Sequence, residues 1–210
     1  MDHHDVAARA AMTAADNEDR SASARDAAQA DAREAAAAVG EVPDLAGSAV
    51  VVMGTSGSGK TVLAMRLAEA LGVPYAEADD FHSPEAVAKM AGGTPLTDKD
   101  RWPWLRRIRD WMSESPQARG AVVTCSALKH SYRDLLSEAP VRVRFLHVDA
   151  PEDVIRQRMA RRRHFMPPAL LTSQFSTLEP LQPDEDGAVL PNDSTMEDLT
   201  ERALRVLAED

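Results

Sequence analysis

A glycine-rich stretch of eight residues constrains the fold of this chain more than any other feature. It consists of Gly54, Thr55, Ser56, Gly57, Ser58, Gly59, Lys60 and Thr61. The apolar run 49–53 comes immediately before it, and residues 60–71 follow with Leu63, Leu67 and Leu71 on one helical face. This order of strand, glycine loop and helix is the context in which the pattern G-x-x-x-x-G-K-[ST] binds phosphates. The stretch therefore predicts a phosphate-binding loop, or P-loop, at the start of a helix.

The residue types of this loop suit a nucleoside triphosphate. Small residues allow successive backbone N–H groups to turn toward a polyphosphate, and the helix N-terminus adds partial positive charge. Lys60 is predicted to neutralise the β- and γ-phosphates, and the Thr61 hydroxyl is predicted to bind Mg²⁺. ATP and Mg²⁺ are therefore the expected cofactors, whereas the motif does not identify the phosphoryl acceptor.

Apolar runs alternate with helix-like segments along the remaining chain. Further strands are predicted at 75–78, 121–125, 141–148 and 187–190. Helices are predicted at 83–90, 103–113, 131–137, 152–162 and 196–208. Such alternation favours an α/β fold in which a parallel sheet carries helices on both faces.

Composition excludes several classes of protein. The single cysteine, Cys125, excludes an internal disulfide, and no apolar run is long enough to span a bilayer. The N-terminus lacks the basic and apolar pattern of a secretory signal. A formal net charge of -10 argues against nucleic-acid binding, which requires clustered Lys and Arg. We therefore expect a cytoplasmic protein that binds neither a membrane nor nucleic acid.

Residues 1–44 differ in composition from the rest of the chain. They are rich in Ala, Asp, Arg and Ser and contain almost no large apolar side chains. Such a segment buries too little surface to offset its ordering entropy. We expect a mostly disordered extension, transiently helical around 24–39, followed by a single kinase domain at 45–210.

Residues that follow the predicted strands are the candidates for acceptor binding, because ligands of open parallel sheets bind beyond the carboxyl ends of the strands. Asp79 and Asp80 follow the second strand. Asp79 is the candidate base that accepts the proton of an attacking hydroxyl, although such a pair can instead cap the next helix. Lys129, after the third strand, suits a negatively charged polyhydroxy acceptor. Arg101 is placed to form a fork to a carboxylate.

A basic cluster needs a separate explanation. It consists of Arg156, Arg158, Arg161, Arg162 and Arg163. A solvated charged helix face is one explanation. The other is a mobile segment above the phosphates, on which Arg158 and Arg162 contact the nucleotide and stabilise transition-state charge.

Several stretches together resemble the gluconate kinase (gluconokinase) family of shikimate-kinase-like P-loop kinases. They are Met53 to Thr61, Asp79 to His82, Lys89-Met90, Pro95 to Asp98, Asp100-Arg101, Trp104-Leu105, Cys125 to Lys129, Tyr132 to Asp134, His164 to Met166, Gln174-Phe175 and Leu178 to Pro180. The resemblance extends from about residue 48 to the C-terminus. Residues 125–129, 174–175 and 178–180 carry its most specific motifs.

This resemblance implies a P-loop NTPase fold with a five-stranded parallel sheet and a lid segment. It also implies phosphorylation of D-gluconate by Mg-ATP to 6-phospho-D-gluconate, commonly in a homodimer. Asp79 would be the base, with Lys60 and Arg101 completing the catalytic set. The substrate contacts that the resemblance implies are Asp79, His82, Arg101, Lys129, Arg133 and His164.

Three alternative functions remain open. A shikimate kinase is expected to carry a glycine-rich motif where this chain has Cys125, Ser126 and Ala127. A nucleoside monophosphate kinase needs a base-recognition segment that the sequence does not reveal. A non-catalytic ATP-binding regulator would bind ATP without phosphorylating gluconate.

Overall fold

A five-stranded sheet forms the centre of the protein. The computed structural model describes residues 32, 34–40, 42–114, 119–160 and 168–209. The strands are β1 Ser48–Met53, β2 Tyr75–Glu77, β3 Ala121–Thr124, β4 Arg142–Asp149 and β5 Gly187–Pro191. All pairings are parallel, in the order β2-β3-β1-β4-β5. The chain therefore reverses its direction of winding between β1 and β3, and a crevice opens there at the carboxyl ends of the strands.

Helices cover both faces of this sheet. They are α1 Lys60–Leu71, α2 Pro84–Ala91, α3 Asp98–Met112, α4 His130–Ser137, α5 Glu152–Ala160, α6 Pro168–Thr177 and α7 Met196–Ala208. Successive side chains of a strand point to opposite faces. Val51 and Met53 accordingly join a core with α3 and α4, whereas Val50 and Val52 join a second core with α1 and α7. The predicted α/β class, parallel sheet and P-loop position are confirmed.

Two helices differ from the predicted pattern. Helix α3 begins at Asp98 rather than at residue 103, because the Asp100 carboxylate accepts bonds from the Thr97 N–H at 2.8 Å and the Thr97 hydroxyl at 2.7 Å. Helix α6 was not predicted at all, and the only local signal for it is a proline, Pro168, at its first position.

The described part of the N-terminal extension contacts the domain. Residues 34–39 are helical, and Ala35 is buried in the second core together with Leu45. The start of the domain at residue 45 and disorder before it remain predictions. Within the described ranges, no helix is both long and apolar enough to cross a membrane.

Candidate active site

A cavity of about 790 Å³ opens at the carboxyl ends of β1, β2 and β3. P-loop residues form one wall, and the end of β2 with α3 forms the opposite wall. Its lining residues are Ser56, Gly57, Lys60, Thr61, Glu77, Ala78, Asp79, His82, Met90, Arg101, Trp104, Thr124, Cys125, Ser126, Met159 and Gln174. The structure thus brings the predicted residues Lys60, Asp79, His82 and Arg101 to one site.

The P-loop needs glycine at two positions for steric reasons. Gly54 has a φ of 132°, and a Cβ there would lie 2.6 Å from the Val148 carbonyl oxygen. Gly59 has a φ of 111°, and its Cβ would lie 2.7 Å from Asn192 Nδ2. Both φ values lie where side chains are disfavoured. The loop is therefore folded closely over the ends of the sheet strands.

Lys60 is the cation at the base of the loop. Its ammonium Nζ donates a hydrogen bond to the Thr55 carbonyl oxygen at 2.8 Å. Burial lowers the pKa of Lys60, and the nearby carboxylates of Glu77 and Asp79 oppose that shift. An anionic phosphate in the cavity would meet a positive charge that water solvates only partly.

Two carboxylates face Lys60 from the end of β2. Glu77 accepts hydrogen bonds from the Tyr75 hydroxyl at 2.6 Å and from the Thr124 hydroxyl at the end of β3. Asp79 lies two residues on, and its side chain is 84% exposed. Glu77 is therefore fixed in place, whereas Asp79 is accessible to a bound molecule.

The sequence analysis missed Glu77 because it considered residues that follow the predicted strands, and Glu77 lies inside the predicted strand 75–78. In the structure Glu77 is the last residue of β2, the neighbour of β3 in the sheet. The short spacing of two residues between Glu77 and Asp79 is the sequence signal that would have identified the pair.

Helix α3 supports the acceptor side of the cavity. The Trp104 indole N–H donates to the Ala78 carbonyl oxygen at 2.7 Å, and the Trp104 ring stacks on His82 with centroids 4.6 Å apart. His82 Nε2 lies 4.0 Å from Asp79 Oδ1, and burial lowers the pKa of His82. Trp104 therefore belongs both to the core and to the cavity lining.

Lys129 and Arg133 do not line the cavity. Lys129 Nζ contacts both Asp98 carboxylate oxygens at 2.8 Å, and the Tyr132 hydroxyl donates to the same carboxylate at 2.6 Å. Lys129 therefore lies beside the site in a salt bridge.

Arg133 does not lie where the sequence-based prediction placed it. Its side chain is 0% exposed and pairs with Glu185 through Nε and Nη2, the latter at 2.9 Å. Its remaining bonds go to the carbonyl oxygens of Ala127, Glu179 and Pro180, each at 3.1 Å. A fully buried guanidinium with these partners cannot reach a substrate, so the predicted substrate contact is wrong.

The basic cluster is only partly described. Arg158 lies on α5, where Nη2 donates weakly to the Asn192 carbonyl oxygen at 3.4 Å. Arg156 pairs with Glu152 on the same helix, which fits a solvated helix face. Arg162 and His164 lie outside the described residues, and their assignment to the lid stays a prediction.

Cys125 lines the cavity but is not an activated nucleophile. Burial raises the pKa of its thiol to about 12. Cys125 is buried and packs as a small core residue.

The residues of the cavity fit both ATP and Mg²⁺. The P-loop offers backbone N–H groups and Lys60 to phosphates. Thr61, Glu77 and Asp79 offer the hard oxygen atoms that Mg²⁺ prefers. Across the described ranges, no cluster of three or more His, Cys, Asp or Glu side chains is placed to hold a metal ion. The ion would therefore depend on nucleotide phosphates for part of its coordination, as Mg²⁺ commonly does.

Comparison with known proteins supports the same chemistry. A family model described as an AAA domain matches residues 50–181. The gluconokinase of Gluconobacter oxydans is 49% identical over 143 residues, which cover 67% of this chain and 79% of that protein. The thermosensitive gluconokinase of Escherichia coli is 42% identical, with 69% and 79% covered. A probable gluconokinase of Mus musculus is 37% identical, with 75% and 96% covered.

Comparison with solved structures also finds a sugar kinase and a gluconokinase. A gluconokinase from Sinorhizobium meliloti is 41% identical with a TM-score of 0.71, covering 78% of this chain and 93% of that one. A sugar kinase from Janibacter sp. is 54% identical with a TM-score of 0.72, covering 76% and 94%. The APS kinase CysC of Mycobacterium tuberculosis, at 19% identity and a TM-score of 0.54, covers 79% and 98% and shares the fold alone.

Proposed function

Because this chain belongs to the gluconokinase family of P-loop kinases, we propose that it transfers the terminal phosphoryl group of ATP to the 6-hydroxyl of D-gluconate. The products are 6-phospho-D-gluconate and ADP. The observation that carries this proposal is the shared cavity, in which the P-loop cation Lys60 faces the accessible carboxylate of Asp79 and the guanidinium of Arg101. A phosphate-binding cation, a candidate base and a partner for a carboxylate therefore line one cavity.

Asp79 and Arg101 act on different groups of the acceptor. Asp79 takes the proton of the 6-hydroxyl while that oxygen forms its bond to phosphorus and the bond from phosphorus to the ADP oxygen breaks. Arg101 pairs with the carboxylate of gluconate, since a guanidinium offers two parallel donors to a planar anion. His82, kept neutral by its lowered pKa, hydrogen-bonds a sugar hydroxyl.

The nucleotide side depends on the P-loop. The Lys60 ammonium and the backbone N–H groups of the P-loop hold the phosphates, except the N–H groups of Gly54, Ser56 and Ser58, which bond within the protein. Thr61 and Glu77 would hold Mg²⁺, which would neutralise developing charge on the phosphate oxygens. Arg158 contacts the nucleotide from α5, and Arg162 and His164 belong to a lid in this proposal.

The test is ADP release by the purified protein with Mg-ATP in the presence of D-gluconate, shikimate, a nucleoside monophosphate panel or no acceptor. We expect stimulation by gluconate alone, with phosphorus NMR locating the phosphate on the terminal carbon. Stimulation by shikimate or a monophosphate would keep the kinase class and discard the substrate. ATP binding without any stimulation would favour a regulator.

Assembly and location remain predictions. A homodimer is expected from the family resemblance, and light scattering across a range of protein concentrations tests it. A cytoplasmic location is tested by cell fractionation.

A further inference from the structure

Gln174, on α6, makes a two-point contact with the P-loop. Its Oε1 accepts a hydrogen bond from the Ser56 backbone N–H at 2.7 Å, and its Nε2 donates to the Ser56 hydroxyl at 3.2 Å. Residue 174 is 118 positions away from residue 56, so the fold rather than local sequence creates this contact. Both side chains line the cavity.

The orientation of the Gln174 carboxamide follows from its partners. A backbone N–H can only donate, so the end of the amide that faces it must be the oxygen. The NH₂ group therefore lies on the other side and has two hydrogens. One goes to the Ser56 hydroxyl, and the second has no protein partner among the described residues. Gln174 therefore has one side-chain N–H at the cavity that can donate a hydrogen bond to a ligand.

The chain after α6 is bonded to the loop after β3 and to α4, which restricts movement of Gln174. The Glu179 N–H donates to the Leu128 carbonyl oxygen at 2.7 Å. The Glu179 carboxylate in turn accepts from the His130 N–H at 2.6 Å. Arg133, buried with Glu185, donates to the Glu179 and Pro180 carbonyl oxygens.

Apolar packing holds α6 against α5. Leu171 is buried with Ile155 of α5, and Phe175 and Met159 pack against them. Gln174 lies three residues after Leu171 and one before Phe175, so it shares a side of α6 with these packed residues. A glutamine that is fixed this way is expected to keep its place when a nucleotide binds.

We propose that Gln174 donates its free N–H to an oxygen of the phosphoryl group that is transferred, while its Oε1 keeps Ser56 in position. The proposal rests on the function proposed above, and it assigns a further catalytic residue to that reaction. Negative charge develops on the phosphoryl oxygens in the transition state. A neutral hydrogen-bond donor that is already in place stabilises this charge and adds no electrostatic repulsion. The phosphoryl group is the favoured partner because Gln174 contacts Ser56 of the P-loop, the part of the cavity lining that also carries the Lys60 cation.

Two substitutions separate this role from simple support of the loop. Gln174→Met removes both the acceptor and the donor. Gln174→Glu keeps an oxygen for the Ser56 N–H but offers no donor and adds a negative charge. If Gln174 only supported the loop, each variant would weaken the binding of ADP and of an ATP analogue by the same factor. If it donates to the phosphoryl group, each variant should weaken the binding of the ATP analogue more than that of ADP, and kcat should fall most in Gln174→Glu.

The experiment combines steady-state kinetics with calorimetric binding of ADP and of a non-hydrolysable ATP analogue to the full chain. We expect kcat to fall by about 10²-fold in Gln174→Met and further in Gln174→Glu. Gln174→Met should lose more affinity for the ATP analogue than for ADP, because both ligands lose the support of Ser56 but only the analogue carries the transferred group. Gln157→Met, an exposed residue of α5 outside the cavity, is the matched control and should retain wild-type values.

Loss of ADP and ATP-analogue affinity by the same factor, or kcat values within about threefold of wild type in both variants, would overturn the proposal. Thermal melting of each variant shows whether the fold is retained. Failure of the proposed substrate is a separate outcome, since it would show as no gluconate turnover by the wild type. In that event the comparison of ADP with the ATP analogue still tests the donor.

Discussion

Asp79 and Asp80 are adjacent carboxylates in different surroundings, and they provide a matched pair for testing the base. Both are exposed, but Asp79 lines the cavity and Asp80 does not. We predict that Asp79→Asn lowers kcat for gluconate by about 10²–10⁴-fold, because the attacking hydroxyl loses its proton acceptor. Asp80→Asn should stay within about twofold of wild type. Equal losses in both variants, or a change in KM alone for Asp79→Asn, would contradict the assignment.

His82 makes stability depend on pH. Its side chain is 4% exposed, and burial lowers its pKa from the ordinary value of 6.5. The unfolded chain therefore takes up a proton before the folded one does as the pH falls. The free energy of unfolding should decrease from about pH 7 toward about pH 5, by at most about 1.4 kcal/mol per pH unit for each such histidine.

Urea unfolding over that pH range checks this prediction. His147 is also buried with a lowered pKa, so the dependence should be shallower, rather than absent, in His82→Gln. An unchanged slope in His82→Gln would show that His82 does not titrate differently in the two states.

Single residues were predictable from sequence where the chemistry is local. The P-loop pattern placed Lys60 and Thr61 at the phosphate site, position after a strand placed Asp79 near it, and all three line the cavity. The sequence predicted no role for Glu77, nor for Gln174 beyond its place in a family motif, because their hydrogen bonds to Thr124 and Ser56 join residues that are distant in sequence. Arg133 was placed in the substrate site wrongly, since its motif gives no information on burial.

At the scale of elements, the segment after α6 depends on the buried pair Arg133 and Glu185. We predict that Arg133→Met lowers the free energy of unfolding by about 3–5 kcal/mol, because it leaves the buried Glu185 carboxylate without its opposite charge and removes a donor from three carbonyl groups. Urea denaturation is the measurement. Introducing Glu185→Met into this variant should recover part of the loss by removing the unpaired charge.

The surface pair Arg109 and Glu138 is the control for that experiment. It has the same chemistry at 2.9 Å but lies in solvent, so Arg109→Met should cost about 1 kcal/mol or less. If Arg133→Met were equally mild and instead raised the KM for gluconate, the original assignment of Arg133 to the substrate would be restored.

Helices and strands were predictable where the local sequence pattern agrees with the tertiary environment. The strands and α1 follow from apolar runs and helical periodicity, and α7 was predicted with its observed limits, Met196–Ala208. Helix α6 lacks a strong local pattern and is instead held by contacts with α5 and the chain after β3. Such long-range support cannot be read from a single sequence.

At the scale of the whole molecule, negative charge is concentrated in the N-terminal extension. Residues 1–44 contain ten acids and four Arg, so they carry -6 of the formal net charge of -10. No described residue of this extension lines the cavity. Ala35 is nevertheless buried, and Val39 packs beside it against the second core. The extension is therefore expected to influence stability only through its last part.

Two truncations test this division. A chain of residues 32–210 keeps Ala35 and Val39 and should match the full chain in kcat and in melting temperature. A chain of residues 45–210 loses their burial, worth about 1–3 kcal/mol, and should melt several degrees lower with kcat unchanged at a permissive temperature. If removal of residues 1–31 alone lowered the melting temperature equally, the acidic segment would be contributing to the folded domain. If it lowered kcat, that segment would be acting on the catalytic cycle.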